Sequence, residues 1–221
     1  LPALLLAVYS AVSTIGSENF FVFADAMNEL IDRHEAHVRR ASLLVIQLYF
    51  EYLAKDTAKM EELLEDEEFL EEHFVSLLES VLKSFNDPSE EAVKTAWHAC
   101  SSMMRSMKKD VLPSFIGPIR EIIRSQTEDD QGNRIVDLLP GFNIVPNSLQ
   151  PLLDVFLQGL RYGKTVEIKE QAAIGLGDII ELTSTESLGP FVRAITGPLI
   201  LVVGDRLPWQ VKSAILNSLS L

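Results

Sequence analysis

The chain has 221 residues, of which 47% are hydrophobic, and a formal net charge of -13. This apolar content is sufficient for a core without covalent staples, so disorder is excluded as the default state. The acidic balance argues against a nucleic-acid backbone as the main partner, because phosphate binding needs clustered Lys and Arg. The single cysteine, Cys100, excludes an internal disulfide and a thiolate metal cage and fits a reducing compartment.

The first sixteen residues are apolar. They contain Pro2, lack a basic lead-in and are shorter than the ~20 residues that a membrane span needs, so we interpret them as a buried helix. The chain starts on this apolar helix and stops inside another, whereas a complete solenoid carries polar terminal repeats. We therefore expect a segment of a longer array.

No β-alternation of useful length occurs, and turn signals separate helical runs of roughly 12 to 18 residues, which predicts an all-α fold. Ser17 is predicted to cap a helix that ends near Asp32. Its inward residues are expected to be Phe21, Phe23, Ala26 and Leu30. After a corner at 34–36, a second helix over 37–52 completes one antiparallel pair.

The stretch between Lys55 and Glu72 is strongly acidic. It can be a docking strip for a basic partner or a divalent cation, or a solvated loop and helix start between repeats. Acidic side chains suit a helix N-terminus, and no Asp/Gly calcium-loop pattern is present. We favour the solvated segment, because charge runs usually face solvent.

The middle of the chain predicts two more helices over 69–85 and from Ser89 onward. In the second of these, Trp97 and three methionines are interpreted as core residues rather than as a contact patch; the methionines are Met103, Met104 and Met107. A helix over 109–124 follows, and the Pro/Gly-punctuated segment 126–147 is predicted to be irregular. Its second half is expected to pack back on the stack through Leu138, Leu139 and Phe142.

The last part of the chain returns to regular pairs. Ser148 is predicted to cap a helix over 149–162, Gly163 to end it and Thr165 to start the next, over 166–182. The stretch 187–221 predicts a helix containing Pro198, a polar corner, and a final helix with Pro208 in its first turn.

An apolar residue followed by a basic one recurs in the predicted second helices. The four cases are Val38-Arg39, Val93-Lys94, Ile168-Lys169 and Val211-Lys212. The last interval, from 168 to 211, matches the ~40 to 47 residues of a HEAT unit. The predicted fold is an all-α HEAT-repeat α-solenoid, a right-handed superhelix of antiparallel helix pairs and a fragment of a longer array. The basic residue is expected to pair with the corner Asp of its own or a neighbouring repeat.

Three segments are expected within this fold. Residues 1–125 are predicted to form HEAT-like repeats with an acidic insertion at about 55–68. Residues 126–147 are predicted to interrupt a repeat, and residues 148–221 to form two regular HEAT repeats.

The sequence contains no clear pattern of metal-ligating, phosphate-binding or catalytic residues. Four scattered histidines, His34, His37, His73 and His98, have no further ligand at metal spacing. Gly175, Gly177 and Asp178 superficially resemble a phosphate-binding turn, but they lie inside a predicted helix with no preceding strand, so close helix packing is the better interpretation. Because no pattern marks paired catalytic carboxylates, we expect no enzyme, cofactor or metal.

The C-terminal motifs carry a resemblance. The runs 195–200, 204–206 and 211–216, together with Leu139-Pro140-Gly141-Phe142 and the helix residues 170–177, resemble the general control non-derepressible 1 family of giant HEAT-repeat translational activators. The resemblance is specific from about Leu138 to Leu221. It implies a cytoplasmic, ribosome-associated scaffold that activates the amino-acid-starvation kinase, which phosphorylates the alpha subunit of translation initiation factor 2. It further implies that this part of the array binds the RWD domain of that kinase.

Two positions depart from the family pattern. The Arg that the family carries after Gly-Pro-Leu-Ile, and that is tied to kinase binding, is Leu201 here, and Leu207 stands where the family usually has Phe. Arg206 and Lys212 match family positions and are carried over as candidate partner-binding residues. The resemblance implies the kinase RWD domain and the ribosome as partners, and we expect no membrane partner and no direct nucleic-acid binding. The alternative is a HEAT transport or assembly adaptor whose acidic residues hold basic cargo.

Overall fold

The computed structural model describes residues 8, 10–16, 19–65, 69–145 and 148–221. Across these ranges the chain is helical apart from its corners and one isolated antiparallel bridge between Glu128 and Arg134. The all-α prediction is confirmed. Half of the predicted opening helix, and the predicted cap at Ser17, lie outside the described residues.

The chain divides into two compact units, unit 1 over 1–107 and unit 2 over 108–221. Unit 1 contains α1 (Phe20–Ile31), α2 (Ala36–Leu53), α3 (Thr57–Glu65), a π-helix (Phe69–Phe74), α4 (Val75–Lys83) and α5 (Glu90–Ser106). Unit 2 contains α6 (Ile116–Thr127), α7 (Pro140–Ile144), α8 (Gln150–Tyr162), α9 (Val166–Leu182), α10 (Thr185–Leu188), α11 (Val192–Val203) and α12 (Trp209–Ser220). The three-segment organisation expected from the sequence stays a prediction.

An aromatic cluster forms one end of the core of unit 1. The Phe20 ring stacks on Tyr49 at 5.7 Å and meets Phe69 edge-on at 4.7 Å. This cluster rotates α1 away from the predicted orientation, so Phe20 is buried whereas Phe21 is 47% exposed. The predicted inward positions of Phe21 and Ala26 are therefore wrong.

Helix α5 begins as its sequence predicts. The Ser89 Oγ accepts a hydrogen bond from the Ala92 N–H, which satisfies one donor of the first turn. Trp97 stacks on Phe85 with the ring centroids 4.0 Å apart, and both side chains are buried. The three methionines are buried as well, which confirms them as core residues.

Cys100 lies in α5 and is fully buried. Burial raises the pKa of its thiol to about 12, and the thiolate is the nucleophile, so the native side chain is doubly protected from reagents. We expect a thiol-specific reagent at pH 8 to leave the native chain unlabelled and to label it once denaturant unfolds unit 1. Because Cys100 is the sole cysteine, the labelled fraction measured by mass spectrometry reports this site alone. Rapid labelling without denaturant would contradict the described packing.

The irregular segment of unit 2 is an ordered hairpin rather than an open loop. The Asp129 carboxylate accepts hydrogen bonds from the backbone N–H groups of Gln131 and Asn133, and Gly132 supplies the positive φ of 78° that the turn requires. Arg134 then pairs with Glu181 of α9 at 2.6 Å. The hairpin is thus tied to the helix beside it.

Residues at the start of α7 and within it are also hydrogen-bonded to the end of α9 and the corner that follows it. The Leu139 N–H donates to the Leu182 carbonyl at 3.0 Å, and the Asn143 side-chain oxygen accepts from the Ser184 N–H at 2.7 Å. Leu139 and Phe142 are buried, which confirms that this half packs back on the helices. Leu138 is 44% exposed, so its predicted burial is wrong.

The sequence predicts the end of α8 and the start of α9 correctly, but it does not predict the start of α8. Gly163 occupies the C-cap, and the Thr165 Oγ1 accepts from the Ile168 N–H to cap α9, as predicted. The predicted cap at Ser148 is wrong, because Leu149 occupies the N-cap and the buried Ser148 hydroxyl has no hydrogen-bond partner.

Glycine allows two close helix contacts on α9. A Cβ at Gly175 would lie 2.3 Å from the Phe156 ring, and one at Gly177 would lie 2.8 Å from the Ser218 Oγ. Both glycines therefore serve close packing, which confirms the sequence interpretation.

One stretch among the described residues, Thr185–Val203, is long and apolar enough to cross a bilayer by length and composition alone. Core helices of soluble proteins pass the same test. This stretch is broken by a 3₁₀ turn at Gly189–Phe191 and buries Ile195, Leu199 and Val202 against the helices of unit 2.

Candidate partner-binding surface

The basic residue of the recurring apolar–basic pairs lies at positions 39, 94, 169 and 212. At two of these four positions its side chain bonds to another element of the fold. In unit 1, Arg39 donates to both carboxylate oxygens of Asp87, at 2.6 and 2.9 Å, and to the carbonyls of Arg33 and His34. Asp87 lies in the corner between α4 and α5, so the predicted pairing with the corner Asp of a neighbouring repeat is confirmed for Arg39. In unit 2, the Lys169 ammonium donates to the carbonyls of Leu160 and Arg161.

The other two positions differ. Lys94 pairs with Glu90 and Glu91 of its own helix at 2.7 and 3.2 Å. Lys212 forms no ion pair with any residue in the described ranges. Its ammonium is therefore not used by the fold of unit 2.

The corner pair Arg39–Asp87 is nearly enclosed, with 14% and 5% of the two side chains exposed. Burial by itself raises the pKa of Asp87, but the hydrogen bonds from Arg39 and from the Ser89 N–H outweigh it, so the pKa lies below its ordinary value. The pair joins the corner between α1 and α2 to the corner between α4 and α5.

The residues carried over from the family motif lie at one end of unit 2. Leu201 is on the outer side of α11 and is 69% exposed. Arg206 is exposed in the corner before α12, and Lys212 is half-buried in the first turns of that helix. The corner therefore presents Arg206 to solvent, and Arg206 forms no ion pair with the residues that the structure describes.

Helices α9 and α12 run side by side in the same direction. The Ser218 Oγ donates to the Ala173 carbonyl at 2.8 Å, and Gly177 meets Ser218 and Leu221. Extended by equal lengths along both helices, this register aligns the beginning of α9, at Val166, with the beginning of α12, at Trp209. The corners that precede the two helices consequently lie at the same end of this helix pair.

Two exposed aromatic side chains on these corners were missed by the sequence analysis. Tyr162 ends α8 and is 67% exposed, and Trp209 begins α12 and is 74% exposed. A signal for Trp209 exists in hindsight: the buried positions of α12 are Val211, Ala214, Ile215 and Ser218, and Trp209 falls on the opposite side of the helix.

A polar cleft of about 550 Å³ lies beside α6. Arg120 in its wall pairs with Asp178 at 2.8 Å and contacts Gln171, and Arg124 pairs with Glu128 at 3.1 Å. Burial raises the pKa of Asp178 despite the hydrogen bond from Arg120. The guanidinium groups are thus already occupied within unit 2.

The acidic run stays without a demonstrated role. Helix α3 occupies part of it, with Glu61, Glu62 and Glu65 exposed, while residues 66–68 lie outside the described ranges. The adaptor for basic cargo therefore stays a prediction. Among the described residues, no group of three His, Cys, Asp or Glu side chains is placed to hold a metal ion.

Comparison with known proteins decides the family. A family model described as "Stalled ribosome sensor GCN1-like, HEAT repeats" matches residues 5–146, which is more than half of the chain. The chain belongs to this family. It is an all-helical HEAT-repeat segment, and the predicted fold class is confirmed on this point. The model match covers unit 1 and the first part of unit 2, whereas the motif resemblance was specific from Leu138 onward.

Relatives of the GCN1-like chain extend the match to both units. Protein ILITYHIA of Arabidopsis thaliana is 35% identical over 215 residues, or 96% of this chain. The eIF-2-alpha kinase activator GCN1 of Dictyostelium discoideum is 44% identical over 66% of the chain, and the stalled ribosome sensor GCN1 of Homo sapiens is 30% identical over 85%. The chain spans only 7%, 5% and 6% of these relatives, respectively. No solved structure matches the chain.

Proposed function

We propose that this chain is a non-catalytic scaffold segment of a GCN1-like protein, in the cytoplasm and on ribosomes. The whole protein activates the kinase that phosphorylates the alpha subunit of translation initiation factor 2 under amino-acid starvation. Unit 2 binds the RWD domain of that kinase. Family membership and relatives named as a kinase activator and as a stalled ribosome sensor support this proposal.

The exposure of the motif residues carries the RWD-binding part of the proposal. Leu201 and Arg206 belong to the run that resembles the family, and both side chains face solvent instead of the core. The core of α11 is formed by other side chains, namely Ile195, Pro198, Leu199 and Val202. The core of unit 2 thus uses neither position 201 nor the corner, and Arg206 and Lys212 are the contact candidates.

The residue at position 201 is expected to change the affinity for the RWD domain. An arginine there can donate charge-assisted hydrogen bonds that a leucine cannot, and hydrogen bonds to charged groups contribute about 1.5 to 3 kcal/mol. We expect Leu201→Arg to tighten binding of the isolated RWD domain about tenfold, which corresponds to about 1.4 kcal/mol. The measurement is a calorimetric titration of the RWD domain into the 221-residue chain.

Leu216→Arg is the matched control, because Leu216 is an exposed leucine of the same unit, 57% accessible, on α12. The control should bind the RWD domain as the wild type does. If neither the wild type nor Leu201→Arg binds, the RWD-docking role of this segment is wrong. If both arginine variants bind equally more tightly, the gain reflects charge alone and not the motif position.

A further inference from the structure

The corners before α9 and α12 carry a set of exposed side chains, of which only Arg206 belongs to the family motif. We call it the aromatic–basic edge and define it as Arg161, Tyr162, Lys164, Arg206 and Trp209. Tyr162 and Trp209 are the two large aromatic side chains of the edge, at 67% and 74% exposure. Exposed aromatic and arginine side chains are the residue types that dominate binding energy at protein interfaces.

The register between α9 and α12 places these residues together. Ser218 contacts Ala173, and Gly177 faces Ser218 and Leu221, so this register aligns the beginnings of the two helices at the same end of the pair. Tyr162 ends α8 and Lys164 lies in the corner before α9, while Arg206 lies in the corner before Trp209, the first residue of α12. Neighbouring helices pack at about 8 to 10 Å between axes, a separation that one partner surface can span.

The charges of the edge are not used within unit 2. Arg161, Lys164 and Arg206 form no ion pair with any residue that the structure describes. Together with Lys212 they are four cations, and the carboxylates of the same corners and first helical turns are Glu167, Glu170 and Asp205, in a chain whose net charge is -13. The local positive sign favours an acidic partner.

We infer that the aromatic–basic edge is the anchor of the docking surface, and that the partner receives Tyr162 and Trp209 in an apolar pocket rimmed by carboxylates. This inference rests on the proposed function, since it assigns the pocket to the RWD domain. A protein surface fits better than a nucleic-acid backbone, because Glu167 and Asp205 on the same corners repel phosphates. Trp209 supplies the largest apolar area, and the cations orient the encounter.

The test is the affinity of the RWD domain for Trp209→Ala and Tyr162→Ala in the full 221-residue chain. Each variant is expected to weaken binding at least tenfold, and Tyr162→Phe to retain most of the affinity because the ring remains. Ile135→Ala is the matched control, since Ile135 is 60% exposed on the hairpin of the same unit and should bind as the wild type does. Circular dichroism checks that each variant is folded, which the exposure of both aromatic side chains leads us to expect.

A second arm tests the charges. Arg161→Glu combined with Lys164→Glu is expected to slow association and to remove most of the salt dependence of the association rate. If the wild type binds the RWD domain and the aromatic variants bind as Ile135→Ala does, the edge is not the anchor, while the proposed function stands. If the wild type does not bind, both fail. If the same variants lose binding to single-stranded RNA but keep binding to the RWD domain, the edge serves nucleic acid and the inference is overturned.

Discussion

Replacing Arg39 by alanine is expected to lower the free energy of unfolding of unit 1 by about 3 kcal/mol, because removal of one partner leaves a buried charge without compensation. The guanidinium satisfies both oxygens of Asp87 and two backbone carbonyls, and 14% of its side chain is exposed. The measurement is urea unfolding followed by fluorescence of Trp97, in a Trp209→Phe background so that the signal comes from unit 1 alone.

Arg33→Ala is the control for the loss of an arginine. Arg33 pairs with Glu29 on the surface of α1, where 55% and 72% of the side chains are exposed, and such pairs contribute little. Its unfolding midpoint should stay close to that of the wild type. If Arg39→Ala changed the midpoint no more than Arg33→Ala, the corner pair would not stabilise unit 1.

The same pair predicts a pH dependence. Because the pKa of Asp87 is lower in the folded chain than the unfolded value of about 3.9, its carboxylate stabilises the fold above that pH, and the contribution is lost as the pH falls through the folded pKa. The stability difference between the wild type and Asp87→Asn should therefore be full at neutral pH and shrink below about pH 4. A difference that stays constant down to pH 2 would contradict the ionised pair.

Helix positions were predictable where the sequence marks both a start and a face. Ser89 and Thr165 cap their helices, and Gly163 ends α8, because a side-chain oxygen or a glycine at these positions satisfies the ends of the helix locally. Ser148 has the same chemistry and fails as a cap. Leu149 takes the cap position and the Ser148 hydroxyl is buried, an outcome that the local sequence does not determine.

The face of α1 was mispredicted for a related reason. Periodicity allows Phe20 or Phe21 to lead the buried stripe, and the choice depends on Tyr49 and Phe69, which come from distant parts of unit 1. The irregular segment shows the same limit. Its composition excludes a long helix, but its attachment uses Arg134 and Asn143 bonded to residues 181–184, and no local pattern reports such pairings.

The candidate surface was predictable in its place and only partly in its members. The corner before α12 is marked by Gly204, Asp205 and Pro208, so the exposure of Arg206 follows from the sequence. Tyr162 and Trp209 were missed, because an aromatic residue in an apolar-rich chain is normally assigned to the core. Their placement at the same end of the pair follows only from the register between α9 and α12.

Gly175→Ala is expected to lower the free energy of unfolding of unit 2 by about 2 kcal/mol, because forcing extra volume into a packed core costs about 1 to 3 kcal/mol. The new Cβ would lie 2.3 Å from Cε1 and 2.7 Å from Cδ1 of Phe156, a fully buried ring that cannot move without displacing its neighbours. The higher helix propensity of alanine offsets about 0.5 to 1 kcal/mol of that cost. The measurement is amide hydrogen exchange of α8 and α9, resolved by peptide mass spectrometry.

A double-mutant cycle with Phe156→Leu separates the steric clash from other effects. Phe156→Leu alone is destabilising, because it removes buried apolar volume, but it also makes room for the methyl group at position 175. The double variant should therefore be more stable than the sum of the two single effects predicts, with a coupling of about 1 kcal/mol or more, as for residues in direct contact. Additive effects would mean that position 175 does not depend on the ring of Phe156. In that case, the tight approach of α8 to α9 would not explain the glycine.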